Sequence, residues 1–370
     1  MGDLHVARRG RLARLVADRD ADAALVTRLV NVRYLTGLDS SNAALLVGAD
    51  GAALLCTDGR YAGMADAVCP ELECLVERET ATTLVSRAAA DGVARLAFEA
   101  HDVTVEGYDD LAAVAVEPAS LGRNDTAAPE LRPLGRAVEE LRKVKDEAEI
   151  ELLRKACAIT DRAFAAVLPL LRPGATEREI AVALERAMVD LGAVKPAFDS
   201  IVASGPNGAV PHHHSGDRTI AAGDLVTMDF GALYGGYHAD MTRTVAVGKV
   251  AEWQRDLYDL VHRAQQVGLD AARPGAETKD VDAVARGVIA DAGHGDDFPH
   301  GLGHGVGLEI HEAPLMGYDK TGKLEGRVPV TVEPGVYLGG RGGVRIEDTL
   351  VVRADGPELL TQTTKELLVV

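Results

Sequence analysis

Four carboxylates stand inside runs that are otherwise apolar and β-branched. They are Asp229 in Val-Thr-Met-Asp-Phe-Gly, Asp240 in His-Ala-Asp-Met-Thr-Arg, Glu333 in Val-Thr-Val-Glu-Pro-Gly and Glu347 in Val-Arg-Ile-Glu-Asp-Thr. A buried ionised carboxylate is costly unless it is paired or bound to a metal. Pairing with Arg243 or Arg345 would account for any one of them. Four together need a common partner, and a metal centre is the simplest. Between the second and third lies Phe298-Pro-His300-Gly-Leu-Gly-His304-Gly-Val-Gly-Leu-Glu-Ile-His311-Glu. Its glycines remove side chains where something must approach the backbone closely. The segment reads as a loop presenting His304, with imidazoles His300 and His311 on either side.

Charge arithmetic favours two ions over one. Asp229, Asp240, Glu333 and Glu347 carry four negative charges, which two divalent cations balance. A single catalytic zinc usually takes three ligands rich in His. Four carboxylates and one His make a hard, oxygen-rich set that suits Mn²⁺, with Co²⁺ or Zn²⁺ able to occupy similar ligands. Two such ions, roughly 3.5–4 Å apart, lower the pKa of a shared water and so promote hydrolysis at neutral pH. Two look-alike motifs drop out. The glycine spacing is not a dinucleotide fingerprint, because no βαβ unit opens there. Asp229-Phe230-Gly231 spells a kinase triplet without the kinase glycine loop, strand lysine or catalytic loop.

The elements that must carry these residues read as two hairpins. The first is Leu225–Gly231, a turn at Tyr234-Gly235-Gly236-Tyr237, then His238–Val247. The second is Val328–Tyr337, a turn at Gly339 to Gly343, then Val344–Val352. Each follows a helix, and the helices echo one another. Arg172-Pro173-Gly174-Ala175 recurs as Arg273-Pro274-Gly275-Ala276, and Asp190-Leu191-Gly192 as Asp291-Ala292-Gly293. Thr176 and Glu179 fit a capping box. The second part is therefore expected to be two related helix-plus-hairpin halves. A long amphipathic helix precedes it, with Leu141, Val144, Ala148, Leu152, Ala156, Ile159 and Ala163 on one stripe and most of its charges solvated. Upstream, Asp22–Val26, Ala43–Val47 and Ala52–Cys56 read as buried strands alternating with helices. The connector Ala127-Ala128-Pro129-Glu130 puts a boundary near 132, giving domains 1–132 and 133–370. The fold class is α/β (α+β).

Composition bounds the remainder. A chain of 370 residues with 47% hydrophobic residues builds a sizeable core, and a formal charge of −18 argues against a general nucleic-acid binder. No run approaches the ~20 apolar residues of a membrane span. The basic start, MGDLHVARRGRLARLVADRD, lacks the apolar stretch of a secretory signal. Cys56, Cys69, Cys74 and Cys157 form no CxxC pair, which suits free thiols in a reducing cytoplasm.

SGPNGAVPHHH (204–214), DFGALYGGYHADMTRT (229–244), HGLGHGVGLEIHE (300–312), VEPGVY (332–337) and GGVRIEDT (342–349) closely resemble the pita-bread metallopeptidases. Within them the chain is similar to the Xaa-Pro peptidases, aminopeptidase P and prolidase. VNVRYLTGLDSSNAALLV (30–47) resembles the creatinase-type N-terminal domain, and LRKVKDEAEIELLRKA (141–156) the helix that opens the catalytic domain. The resemblance implies dinuclear ligands Asp229, Asp240, His304, Glu333 and Glu347, with Asp240 and Glu347 bridging. It makes His212 the substrate-facing histidine, His300 and His311 the imidazoles that hold substrate and stabilise the tetrahedral intermediate, and Glu333 the proton shuttle. Arg345 becomes an arginine that orients the carboxylates. The implied activity is hydrolysis between a first residue and a following proline, by a cytoplasmic homodimer acting on proline-containing peptides. His213 and His214 match no family role and read as exposed loop residues. Two rivals differ in class. One is the same site on another substrate, as in methionine aminopeptidases, creatinase-like amidinohydrolases or lyases. The other is a non-catalytic binding protein, relatives of which have lost the ligands that this chain keeps.

Overall fold

The computed structural model describes residues 2–120 and 128–370; Met1 and residues 121–127, Ala127 of the connector among them, lie outside the described residues. It divides into two units, Met1–Arg142 and Lys143–Val370. The division falls ten residues later than the expected 132. Glu130–Pro133, read as connector, pairs in parallel with Arg95–Phe98 as the last strand of the first unit's sheet.

That sheet has six strands in the order Glu73–Val76, Ala53–Thr57, Ala43–Gly48, Ala23–Val26, Arg95–Phe98, Glu130–Pro133. The three strands read from apolar runs form its antiparallel middle. Leu25, Leu96, Leu84 and Val85 are fully buried in its core.

The expected long helix is two. Ala137–Lys143 ends the first unit, and Glu147–Val167 begins after a break at Asp146. The Asp146 carboxylate accepts from the Glu149 backbone N–H at 2.9 Å while Glu149 caps the Asp146 N–H at 2.9 Å. A cap this complete starts a helix and ends the previous one. Charges expected to be solvated are also buried, Lys145 and Glu149 being 1% and 3% exposed. Lys145 Nζ meets Glu312 Oε2 at 2.6 Å, and Glu149 accepts from the Tyr237 hydroxyl at 2.8 Å.

The duplication holds element by element. Glu177–Asp190 and Thr278–Asp291 are equivalent helices, the first with the expected Thr176–Glu179 capping box. Gly174 and Gly275 donate to Ile220 and Leu324 through equivalent turns. Each half has its own apolar core, built around Phe164, Leu184 and Phe230 in the first, and Tyr258, Ile289 and Val330 in the second.

Both hairpins are broken at or next to the carboxylates. Leu225–Phe230 pairs with Met241–Ala246, Asp229 lying opposite Thr242, and the chain then turns into a second small sheet at Gly231 and again at Asp240. Pro329–Val332 pairs with Asp348–Val351, and Gly335–Leu338 with Gly342–Arg345. Glu333 and Glu347 occupy the gaps between these two ladders. A hairpin changing sheets at these points turns the side chains into one space instead of alternating them across a pleat.

Gly231 is one such corner. A Cβ there would stand 1.7 Å from the carbonyl oxygen of Ala239, so only glycine permits the approach. Gly231→Ala is expected to cost about 2–3 kcal/mol and lower the melting temperature by roughly 5–10 °C, read by calorimetry. An unchanged melting temperature would contradict the close approach.

Candidate metal centre

The broken hairpins and the strand Gly303–Gly305 converge on a cavity of about 470 Å³. Its wall includes Asp229, Asp240, Glu333, Glu347, His212, His300, His304, His311 and Arg345, which are all the residues singled out above. His304 is not on a loop, as expected, but on a strand. Gly303 and Gly305 let that strand in, since a Cβ on either would meet the carbonyl of Thr331 or Ala313 within 2.4 Å. The glycines thus accommodate neighbouring backbone within the sheet.

His304 Nδ1 faces the carbonyl oxygen of Gly305 at 3.0 Å, which requires the proton on Nδ1. The bare Nε2 then points at Asp240 Oδ2 (3.5 Å) and Glu333 Oε1 (3.4 Å). Burial, with His311 adding to it, lowers the His304 pKa to about 4. Ligand atoms of Asp240, His304 and Glu347 all lie within 4.8 Å of one another. A lone pair facing carboxylate oxygens is a set of acceptors without a donor, and only protons or a cation can reconcile them.

The carboxyl groups show the same deficit. Burial and then the neighbouring carboxylates push Asp240 and Glu347 well above the usual range. Burial raises Glu333 to about 8 despite the opposing pull of Arg345. Asp229 Oδ1 is buried with no hydrogen-bond partner. Two divalent cations fit this donor set: oxygen-rich, with one neutral imidazole and orphaned lone pairs turned inward.

Arg345 holds the arrangement from outside. It donates through Nη2 to Asp229 Oδ2 at 2.6 Å, through Nε to Thr242 Oγ1 at 3.0 Å, and through Nη1 to the Tyr337 hydroxyl at 2.8 Å. Thr242 Oγ1 in turn donates to Glu347 Oε2 at 2.8 Å, and Thr331 Oγ1 to Glu333 Oε1 at 3.1 Å. The partner proposed for Arg243 is different: it binds Asp348 at 2.7 Å, with both side chains at most 2% exposed.

Several contributors escaped the sequence reading. Tyr337, inside VEPGVY, links Arg345 to His300 Nε2 at 2.8 Å. His300 Nδ1 faces the Gly301 carbonyl at 2.8 Å, so Nδ1 carries the proton and Nε2 accepts from Tyr337. His300 therefore lines the cavity with both nitrogens engaged. His212 and His311 carry no hydrogen bond among the described residues, and the His311 ring packs edge-on against His304 at 4.4 Å. His213 is not an exposed loop residue. It is half-buried and meets the buried carboxylate of Glu177 at 2.8 Å, which also binds Ser204 and Asn207. His214 is exposed, as read.

Residues 151–354 match Metallopeptidase family M24, and residues 8–144 match the Creatinase/Prolidase N-terminal domain. The chain belongs to metallopeptidase family M24. The M24 chain is 38% identical over 360 residues to the Xaa-Pro dipeptidase of Pyrococcus furiosus, covering 97% of this chain and 98% of the relative. Among solved structures, the Xaa-Pro dipeptidase from Bacillus anthracis superposes with a TM-score of 0.91 at 34% identity, covering 99% of this chain and 100% of that one. X-Pro aminopeptidase from Thermotoga maritima gives 0.86 at 33% identity, over 98% and 99%. The peptidase thus has a creatinase-like N-terminal domain followed by the pita-bread domain.

Raised carboxyl pKa values make the metal-free peptidase pH-sensitive. Between 4.5 and 8 the folded Glu333 keeps a proton that the unfolded chain has lost, so folding binds protons and stability falls as pH rises through this window. Chelator-treated enzyme is expected to melt progressively lower from pH 5.5 to 8.5, and saturating Mn²⁺ to abolish most of that slope. A metal-free melting temperature independent of pH would contradict the buried-carboxylate account.

Proposed function

We propose that this M24 peptidase hydrolyses the bond between a first residue and a following proline, in the manner of an Xaa-Pro dipeptidase. One observation carries the reading: Asp229, Asp240, His304, Glu333 and Glu347 converge in a single cavity, with His212 and His311 on its wall. Those five side chains would hold two divalent ions, Mn²⁺ by the hardness of the set, with Co²⁺ or Zn²⁺ as substitutes. Ions bound there supply an activated water at neutral pH and polarise the scissile carbonyl.

The chain's own groups do the remainder. Asp229, which would hold an ion through Oδ1, places the substrate's amino terminus beside that ion. Glu333 carries the proton from the attacking water to the leaving proline nitrogen. His212 and His311, with nitrogens unengaged, donate to the developing oxyanion. Arg345 keeps Asp229 and, through Thr242, Glu347 in orientation. His300 positions Tyr337 and Arg345, a different part from the substrate-holding one that the resemblance implied.

Lys320 supports the dipeptide preference. It lines the cavity with Leu315 and Met316, and its ammonium, in an exposed pair with Asp319 at 3.1 Å that a carboxylate could replace, suits a proline ring bearing a free carboxylate. The four free thiols, three of them buried, are in keeping with a reducing cytoplasm, and the cytoplasmic homodimer implied by the resemblance belongs to the same proposal. No helix among the described residues is long and apolar enough to cross a membrane.

Asp240→Ala is expected to lower kcat/KM for Leu-Pro by about a thousandfold or more while leaving the circular dichroism spectrum intact. Full activity in that variant would overturn the assignment. Wild-type enzyme should cleave Leu-Pro faster than Leu-Pro-Gly, measured by release of leucine; a preference for the tripeptide would indicate aminopeptidase P specificity.

A further inference from the structure

A second groove, of about 340 Å³, opens off the catalytic cavity and shares Asp199, Ile201 and His212 with it. Its wall adds Glu185 and Ser200. Asp199 is exposed, and its carboxylate has no hydrogen bond or ion pair among the described residues. One feature sets the groove apart from ordinary solvated surface. Ser200 is only 8% exposed, and its Oγ is buried without any hydrogen-bond partner. A buried hydroxyl left unsatisfied costs free energy that a bound polar group would recover. Glu185 stands close by, its Oε1 accepting from the Ser200 backbone N–H at 3.3 Å. Arg178 also lines the groove, but its guanidinium is engaged by Asp217 at 2.8 Å. The wall also holds His213, engaged by Glu177, and the exposed His214, so Glu185, Asp199 and the buried Ser200 hydroxyl are its acidic and unsatisfied members.

The register of the sheet connects this groove to the reaction. Ile201 pairs with Asp229 across the Ile201–Ser204 and Leu225–Phe230 strands, so Ser200 and Asp199 follow at one and two residues beyond that pairing. With the substrate's amino terminus at Asp229, the strand register puts Ile201 beside it and Ser200 and Asp199 next along the chain, which is where a first side chain could extend. A four-carbon stem reaches roughly 6 Å from its Cα. Such a stem lies along the Ile201 side chain and brings a terminal ammonium to the carboxylates, the way lysine side chains bury the stem and keep the charge among polar partners.

We infer that this groove is a subsite for a cationic first residue, so that the peptidase favours Lys-Pro and Arg-Pro over neutral dipeptides of the same length. The inference rests on the Xaa-Pro reading above and adds the class of first residue. Lysyl-proline and norleucyl-proline form the decisive pair, since their first side chains match in length and differ in the ammonium group. Each partly exposed ion pair is worth up to about fivefold, so kcat/KM for Lys-Pro should exceed that for norleucyl-Pro by about tenfold. The advantage should shrink in 0.5 M salt, where screening shortens the reach of exposed charges. In the Asp199→Asn, Glu185→Gln double variant the ratio should fall to about one. Asp199→Lys, a change at an exposed position, should instead favour Glu-Pro over Gln-Pro.

The two readings fail differently. If neither Lys-Pro nor norleucyl-Pro is cleaved by metal-loaded enzyme, the Xaa-Pro assignment itself is overturned. If both are cleaved equally well and neither salt nor the substitutions move the ratio, the cationic subsite is overturned and the assignment stands.

Discussion

Everything in the catalytic domain answers to one constraint: four carboxyl groups and a neutral imidazole share a space from which water is largely excluded. Burial is the largest cause that raises Asp240, Glu333 and Glu347, and the neighbouring carboxylates, Asp229 in every case, raise them further. In such an environment an unpaired ion is among the most destabilising features a fold can contain. Among the described residues Arg345 is the cation paired with the cluster; it binds Asp229 directly, and its pull on the others does not offset their burial. A pair of divalent ions meets the deficit in a way that hydrogen bonds cannot, because hydroxyl donors such as Thr242 and Thr331 orient a carboxylate without removing its charge.

Holding these groups in place falls to the duplicated architecture. Each half contributes a hairpin with two carboxylates: Asp240, Glu333 and Glu347 stand where the chain leaves one ladder for another, and Asp229 stands two residues before such a corner at Gly231. Interruption of the ladders is what lets residues from both hairpins face one cavity. The halves are then tied together across their shared centre. The Glu347 backbone N–H donates to the Thr242 carbonyl at 3.1 Å, and the Thr349 hydroxyl to the Asp240 carbonyl at 2.8 Å. Two arginines divide the work. Arg345 binds side chains of the cluster, whereas Arg243 reaches the backbone carbonyls of Thr242 and Glu347 and so fixes the strands that carry them. Truncating either leaves polar groups of both halves without donors.

Much of this was legible in the residue order, for a definite reason. A carboxylate inside Val-Thr-Val-Glu or Val-Thr-Met-Asp contradicts the burial that its neighbours predict, and contradictions of that kind mark sites. The repeat at Arg172-Pro173-Gly174 and Arg273-Pro274-Gly275 announced the two halves. Less accessible were residues whose meaning depends on a distant partner. Lys145 looks like helix surface until Glu312, 167 positions away, is known to lie against it. His213 is ambiguous without Glu177, and Tyr337 without both His300 and Arg345. The break before Glu147 was different, because Asp146 and Glu149 stand at capping-box spacing. There the local signal existed, and the hydrophobic stripe running through it from Leu141 to Ala163 obscured it.

The histidines illustrate how the same residue type acquires different parts from its second nitrogen. His304 gives its proton to the Gly305 carbonyl, which leaves Nε2 as a lone pair in the midst of the carboxylates. His300 gives its proton to Gly301 and accepts from Tyr337, so both edges are spent inside the protein. Burial pushes both to about 4, keeping them neutral where a positive charge would have to compete with the cation site. His212 and His311 have no such commitments and line the same cavity. Those two are therefore free to meet an incoming group, whereas both ring nitrogens of His300 are held by Gly301 and Tyr337. That difference follows from carbonyl placement in a glycine-rich segment, where Gly301 and Gly305 bring main-chain oxygens close enough to choose the tautomer.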